Sequence, residues 1–413
     1  MKSGDCLLKS PCSGNGGVVL HPGRDGLRIL IVNCYARVTG GADVHCLELV
    51  GELRRRGHDV RFLSTESRDN EDENGWFVPL SVSNSSRGEL RPAQRLAVLR
   101  TAIWSREAVA AIDAIVAAWR PTVAHIHKAY PQLSVGPIVR LSQYGIPVVQ
   151  TVHDYEFVSA SSTDTSGAAF DTDETTIAYR ALNSMLFQIK RRAHVPRVAS
   201  WVSVSRAMAV HYARAGIETT VLPNFVLPRR MAIPGYGSRN GLLYVGRLVP
   251  EKGLDDVLLL ASMSDMAVSV VGGGVLRERV EAAAAVLPNL TYHGLLDRAG
   301  VGALIRKARV VLMPSRWEEP GPLAALEAME AGTPVVAFPA GGLSEYISDA
   351  GAGIVTQPTS DALHEAATQL HNDKQRWARA SAAGRHAAAT RHSPSTYAEA
   401  IIAIYDHVQA LPK

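Results

Sequence analysis

Cysteine is scarce and confined to one end of this 413-residue chain. There are four, Cys6, Cys12, Cys34 and Cys46, with none beyond Cys46 and no Cys-x₂-Cys spacing. This argues against a disulfide scaffold or a thiolate zinc site and fits a reducing, cytoplasmic setting. Long apolar runs are also missing: none reaches the roughly 18 residues that suggest a membrane span. The first 26 residues lack the basic start and apolar core of a signal peptide, and their Gly, Ser and Pro content reads as a disordered extension with idle thiols. Neither sign of charge is in excess. With 43 basic and 39 acidic residues the net charge is +4, too mild to argue for a nucleic-acid partner. No internal repeat is present. No Asp-x-Asp cluster stands at a strand end to hold a cation; Asp171-Thr-Asp173 has the spacing but lies in the polar stretch 159–176, which reads as a mobile loop with Asp164 and Glu174.

What is present is a packed α/β pattern. Hydrophobic residues make up 46% of the chain, and its length asks for two or three domains. Leu27–Asn33 reads as a buried strand, followed by a loop ending in Gly40-Gly41, a helix to about Arg56 and a second strand from Gly57. Strand, glycine loop, helix, strand is a nucleotide-binding half of the doubly wound kind, although a lone Gly-Gly is also what an ordinary turn needs. A long helix is expected from about Ala93 to Trp119, then strands at 122–127 and 146–152. The second of these ends at His153-Asp154-Tyr155, at the carboxyl edge where parallel sheets bind ligands. On spacing alone a structural histidine is as good a reading of His153 as a functional one, and it is the preferred reading of His125 and His127. The helix from Tyr179 ends in Lys190-Arg191-Arg192. Such a helix can lie on an anionic membrane, but a core-packing helix with a basic end that suits its own dipole is favoured.

The second half repeats the alternation. After the strand Gly241–Val245, Arg247 and Lys252 flank a turn and a helix start; side-chain charge plus free N–H groups suits a diphosphate. Strands at 267–271 and 290–293 end in Gly272-Gly273-Gly274 and Gly294. Val310–Met313 is a buried strand, and 314–321 is an irregular loop. Pro322 suits a first helical position, the helix runs to about Ala331, and Gly332 stops it. Leu323, Ala324, Glu327 and Ala331 share one helical face, on which Glu327 is the only charge and has no basic residue three or four positions away. A carboxylate there needs a partner, and a pair of ligand hydroxyls would serve. Glu319 precedes it in the loop with seven residues between, while Glu330 is expected to face solvent.

Glu319-Pro-Gly-Pro-Leu-Ala-Ala-Leu-Glu327-Ala-Met resembles the Glu-x₇-Glu motif of retaining nucleotide-sugar glycosyltransferases of family four. Gly246-Arg247-Leu-x₃-Lys252-Gly253, Gly332-Thr-Pro-Val-Val, Gly341-Gly342-Leu-Ser-Glu345 and the Thr-x-His153-Asp segment match the same family. The likeness covers about Leu27 to Gln409 and is strongest over Tyr244–Glu345. It implies the GT-B fold, two Rossmann-like α/β domains facing across a cleft. Residues 27–226 would form the acceptor side and 227–394 the donor side, with 395–413 crossing back as a helix. It implies transfer of a sugar from a nucleotide-diphosphate donor to an acceptor hydroxyl, on a glycan, a lipid-linked or a small molecule, with retention and without metal or cofactor. In that reading Glu319 contacts the donor sugar, Glu327 the ribose, and His153 lies near the reacting sugar. Arg247 and Lys252 stabilise the leaving diphosphate, aided by Gly246 and by the helix start at Gly321, Pro322 and Leu323. Gly40 and Gly41 face the donor phosphates, Gly273 leaves room for the nucleotide and backbone at Gly294 meets the base. Two departures from the family stand out: Gly321 replaces the usual aromatic, with Pro322 where glycine is common, and Glu330 stands where a small residue is usual. The rival readings are a non-catalytic nucleotide-sugar binding protein and another enzyme of the same fold, such as an epimerase. A phosphorylase would need pyridoxal phosphate on a lysine, and none lies between Glu345 and Lys374.

Overall fold

The computed structural model describes residues 26–71, 75–79, 100–159, 177–229 and 231–411. The readings of the N-terminal extension and of the Asp-rich stretch at 160–176 lie outside these residues.

Two parallel sheets organise the chain. The first contains β1 (Arg28–Asn33), β2 (Asp59–Thr65), β3 (Trp76–Val78), β4 (Val123–Lys128), β5 (Val148–Val152), β6 (Ser200–Ser203) and β7 (Thr220–Val221), in the order β3-β2-β1-β4-β5-β6-β7. The second contains β8 (Leu242–Val245), β9 (Val268–Val271), β10 (Leu290–Tyr292), β11 (Val310–Met313), β12 (Val335–Ala337) and β13 (Gly353–Val355), in the order β10-β9-β8-β11-β12-β13. The central strands are short apolar runs buried on both faces, as helices on each side of a parallel sheet require. In each sheet the winding reverses once, between β1 and β4 and between β8 and β11. At such a reversal the loops leaving neighbouring strands diverge to opposite faces and open a crevice at the carboxyl edge. This is the doubly wound, two-lobed architecture expected from the strand–helix alternation.

Several boundaries moved. The helix expected from Ala93 to Trp119 starts outside the described residues; within them 100–103 are helical, Trp104 and Ser105 interrupt it, and Arg106–Ala118 starts anew where the Ser105 hydroxyl accepts the Ala108 N–H. Pro322 is not the first helical residue. It is the N-cap in extended backbone, and the helix is Leu323–Glu330. Gly332 does stop it, with φ of +67°. The short strands β3 and β13 and the helix Gly342–Ala350 carried too little local pattern to be anticipated.

The last helix, Pro394–Ala410, buries Tyr397, Ile401, Tyr405 and Val408 against Ile29, Ile31, Leu49, Leu53 and Val149 of the first lobe. The chain therefore crosses between lobes twice, and the crossings are bonded to each other. The Val226 N–H donates to the His392 carbonyl at 3.0 Å, and His392 Nδ1 donates to the Asn224 carbonyl at 2.9 Å.

Among the described residues no helix is long and apolar enough to cross a membrane. The helix Ile177–His194 turns two of its terminal cations inward. Lys190 pairs with Glu156 at 3.3 Å and sits over the Tyr130 and Phe157 rings. Arg191 donates to the Phe157 and Ala215 carbonyls. Of the three, Arg192 is exposed, an arrangement that fits the core-packing reading of this helix end.

Candidate active site

The loops that leave β8 and β11 meet at the second lobe's winding reversal. The β8 loop carries Arg247 and Lys252, and its Gly253 turns into the helix Leu254–Ser262 with φ of +68°. A Cβ on Gly253 would sit 1.8 Å from the Pro314 carbonyl oxygen, so only glycine allows the two loops to touch. Arg316 fixes the contact with a fork on Asp256 at 2.9 and 2.7 Å. The β9 turn interlocks with the same loop. The Leu248 N–H donates to the Gly273 carbonyl, and the Gly272 N–H donates to the Gly294 carbonyl, both at 2.9 Å. Gly246, Gly273 and Gly294 are thus brought together as bare backbone beside Arg247.

Glu319 is buried, with 3% of its surface exposed. Lys252 Nζ forms an ion pair with its Oε1, and the Ser315 hydroxyl donates to the same oxygen at 2.5 Å. The Lys252 ammonium also lies 4.9 Å from the centre of the Trp317 ring. The Gly342 N–H donates to the Glu319 carbonyl at 2.7 Å, which ties the Gly341-Gly342 turn to the motif. Arg247 differs from Lys252: its side chain is 60% exposed and, among the described residues, pairs with Glu251 at 3.6 Å.

Glu327 is not without a protein partner. Arg298 Nε donates to its Oε1 at 2.9 Å and Arg229 Nη2 at 3.2 Å. Neither arginine is on its own helix, so helical spacing could not reveal them. Glu330 does not stand free in solvent either, because its carboxylate accepts the Arg229 backbone N–H at 2.7 Å. At Gly321 the space of the absent aromatic is filled. A Cβ there would lie 2.6 Å from the Tyr346 hydroxyl and 3.2 Å from Asn224 Nδ2, and that amide donates to the Gly321 carbonyl at 2.8 Å. The start of the motif helix, Pro322-Leu323, faces the first lobe, and Leu323 lies 3.7 Å from where a Gly41 Cβ would be.

The loop before Gly40 is shaped by Asp43, which accepts from Asn33 Nδ2 and from the Thr39 N–H and hydroxyl. His45, one turn into the helix Gly41–Arg55, joins His127 and His153 in a group whose nearest ligand atoms lie within 4.8 Å of one another. This is the one set of three potential metal ligands found among the described residues. His127 Nδ1 and His153 Nε2 share a hydrogen bond of 3.0 Å. Burial and the Lys128 charge hold His153 down at about 4, with Asp154 opposing, so its ring is neutral near pH 7. His125 is structural: it bonds the Tyr405 hydroxyl at 2.6 Å and the Thr151 hydroxyl at 2.7 Å. His45, Ser315, Trp317, Arg229 and Arg298 were not picked out from the sequence. Ser315 reaches Glu319 from four residues earlier in the same loop, whereas the other four meet the site through tertiary contacts that leave no local pattern.

Residues 39–230 match the family described as Glycosyltransferase Family 4, and residues 232–387 match that described as Glycosyl transferases group 1. A glycogen synthase of Mycobacterium tuberculosis is 30% identical over 252 residues, covering 58% of this chain and 57% of its own length. Among solved structures, sucrose-phosphate synthase from Thermosynechococcus elongatus superposes with a TM-score of 0.71 at 17% identity, over 92% of this chain and 99% of that one. HepE from Anabaena, in complex with UDP and glucose, superposes with a TM-score of 0.66 at 17% identity, over 92% and 100%. The two family matches adjoin and together take in every strand of both sheets except β1, with the loops that carry Arg247, Lys252, Glu319 and Glu327: the protein belongs to glycosyltransferase family four and has the GT-B fold.

Proposed function

We propose that the chain transfers a sugar from a nucleoside-diphosphate donor to an acceptor hydroxyl with retention of configuration and without a metal ion. The observation that carries this reading is shared by the two motif glutamates. Among the described residues the protein contacts of each carboxylate fall on Oε1, from Lys252 and Ser315 at Glu319 and from Arg298 and Arg229 at Glu327. Each Oε2 is left for a ligand hydroxyl, the sugar's at Glu319 and the ribose diol's at Glu327. Arg247, Lys252 and the N–H groups at the start of Leu323–Glu330 take the place of a cation against the diphosphate. The bond from the sugar's anomeric carbon to phosphate oxygen breaks, and a bond to the acceptor oxygen forms on the same face. The acceptor proton passes to the departing phosphate oxygen. Glu319, locked by an ammonium and a hydroxyl, orients the sugar and is no covalent nucleophile. HepE's complex with UDP and glucose supports a donor of this class.

Nucleotide release from a panel of UDP-, ADP- and GDP-sugars, with and without acceptor alcohols, tests the reading. Acceptor-dependent release of one nucleotide is expected. Binding without release would favour the non-catalytic alternative, and an altered sugar still joined to its nucleotide would favour an epimerase. Glu327→Gln should weaken binding of the selected donor by about tenfold, the scale of one charge-assisted hydrogen bond; unchanged donor affinity would remove Glu327 from the ribose.

Activity should also survive excess EDTA. A loss restored by magnesium, manganese or zinc would overturn the metal-free reading, and the His45–His127–His153 group would be the first place to look.

A further inference from the structure

Arg298 opens the helix Arg298–Lys307 and touches two carboxylates from different lobes. Its Nε bonds Glu327 Oε1 at 2.9 Å, while its Nη1 lies 2.5 Å from Glu48 Oε1, on the helix Gly41–Arg55. The second contact is a close ion pair whose angles do not make it an aligned hydrogen bond. The Glu48 side chain is only 8% exposed, and burial pushes its carboxyl up while Arg298 pulls it back. The cap of the Arg298 helix, Asp297, is engaged with the Gly300 N–H. Gly302, one turn further on, leaves the room that Arg229 occupies: a Cβ there would sit 1.7 Å from Arg229 Nη1. Two guanidinium groups thus converge on one oxygen of Glu327, and one of them is anchored across the cleft. A planar fork with several donors can hold two carboxylates at once, which a lysine ammonium on a flexible stem does poorly.

We propose that Arg298 is a positioning residue for the donor ribose, holding Glu327 from the second lobe while Glu48 holds Arg298 from the first, so that the lobe opposite the donor sets donor affinity without touching it. This rests on the donor-site reading above. Removing the Glu48 charge leaves the Nη1 end of the fork unanchored. Glu327 Oε1 then loses a fixed partner, and Oε2 is no longer held toward the diol. The effect is confined to nucleotides that have a ribose diol.

The test titrates UDP, ADP and GDP into the full-length protein by calorimetry and carries the tightest binder forward with its 2′,3′-dideoxy analogue. Glu48→Gln should weaken the ribonucleotide by about fivefold, a fraction of one charge-assisted bond. It should leave the dideoxy analogue unchanged. Arg298→Lys should act in the same direction, Glu48→Asp should restore most of the affinity, and Glu48→Gln should weaken binding no further in an Arg298→Met background. Equal weakening of both nucleotides would mean Glu48 acts only through general packing, and unchanged affinity in Glu48→Gln and Arg298→Lys would remove the bridge; either result overturns the proposal while the donor site stands. Failure of all three nucleotides to bind the wild type would overturn the donor-site reading and this one with it.

Discussion

Arg247→Ala should turn over donor about 10²-fold more slowly than the wild type, a loss of about 2.7 kcal/mol of transition-state stabilisation, and should melt at the same temperature. Lys252→Met should lose at least as much rate and also melt lower. The two cations separate because their surroundings differ. The Arg247 side chain is 60% exposed, with Glu251 as its ion-pair partner, so its removal costs the fold little. Lys252 is the ammonium against buried Glu319, and its removal leaves that carboxylate with the Ser315 hydroxyl, at a cost of about 1–3 kcal/mol. Initial rates at saturating donor, together with thermal melts of all three proteins, check both halves. Wild-type turnover in both variants would remove the diphosphate from this loop.

Gly253→Ala should damage the enzyme more broadly than any change of a charged residue. Its left-handed backbone already disfavours a side chain, and the new Cβ would meet the Pro314 carbonyl oxygen at 1.8 Å. Backbone atoms cannot swing aside as a side-chain tip can, so the loops leaving β8 and β11 must part. That costs about 3 kcal/mol or more and lowers the second lobe's melting by roughly 5 °C or more. Lys252 precedes Gly253 directly, so the same shift draws its ammonium from Glu319, and activity should fall even well below the melt. A variant that melts and reacts as the wild type does would mean that the contact between these loops is dispensable.

The fold was readable because its signals are local. Buried parallel strands such as Val310–Met313 are short apolar runs, and glycines such as Gly332 mark where helices must stop. The Glu-x₇-Glu spacing was readable too, since loop and helix start are contiguous in the chain. What could not be read was who holds each charge. Arg298 lies 29 residues before Glu327, and Arg229 lies 98 before it. Glu330 was expected in solvent, yet a backbone N–H from the stretch between the lobes finds it. The filled space at Gly321 has the same origin. Residue type shows that an aromatic ring is missing, but only the fold shows Tyr346 and Asn224 standing there.

The helix Pro394–Ala410 has a consequence for the order in which the protein can be made. Tyr397, Ile401, Tyr405 and Val408 complete one face of the first lobe, and the Tyr405 hydroxyl satisfies the buried His125. These residues follow the whole second lobe in the chain, whereas β1 precedes it. The first lobe must therefore wait, part of one apolar face uncovered and His125 left with Thr151 as its partner, through the synthesis of the entire second lobe. The second lobe needs none of that helix for its sheet and can close its core earlier. In this chain the half that begins first is finished last.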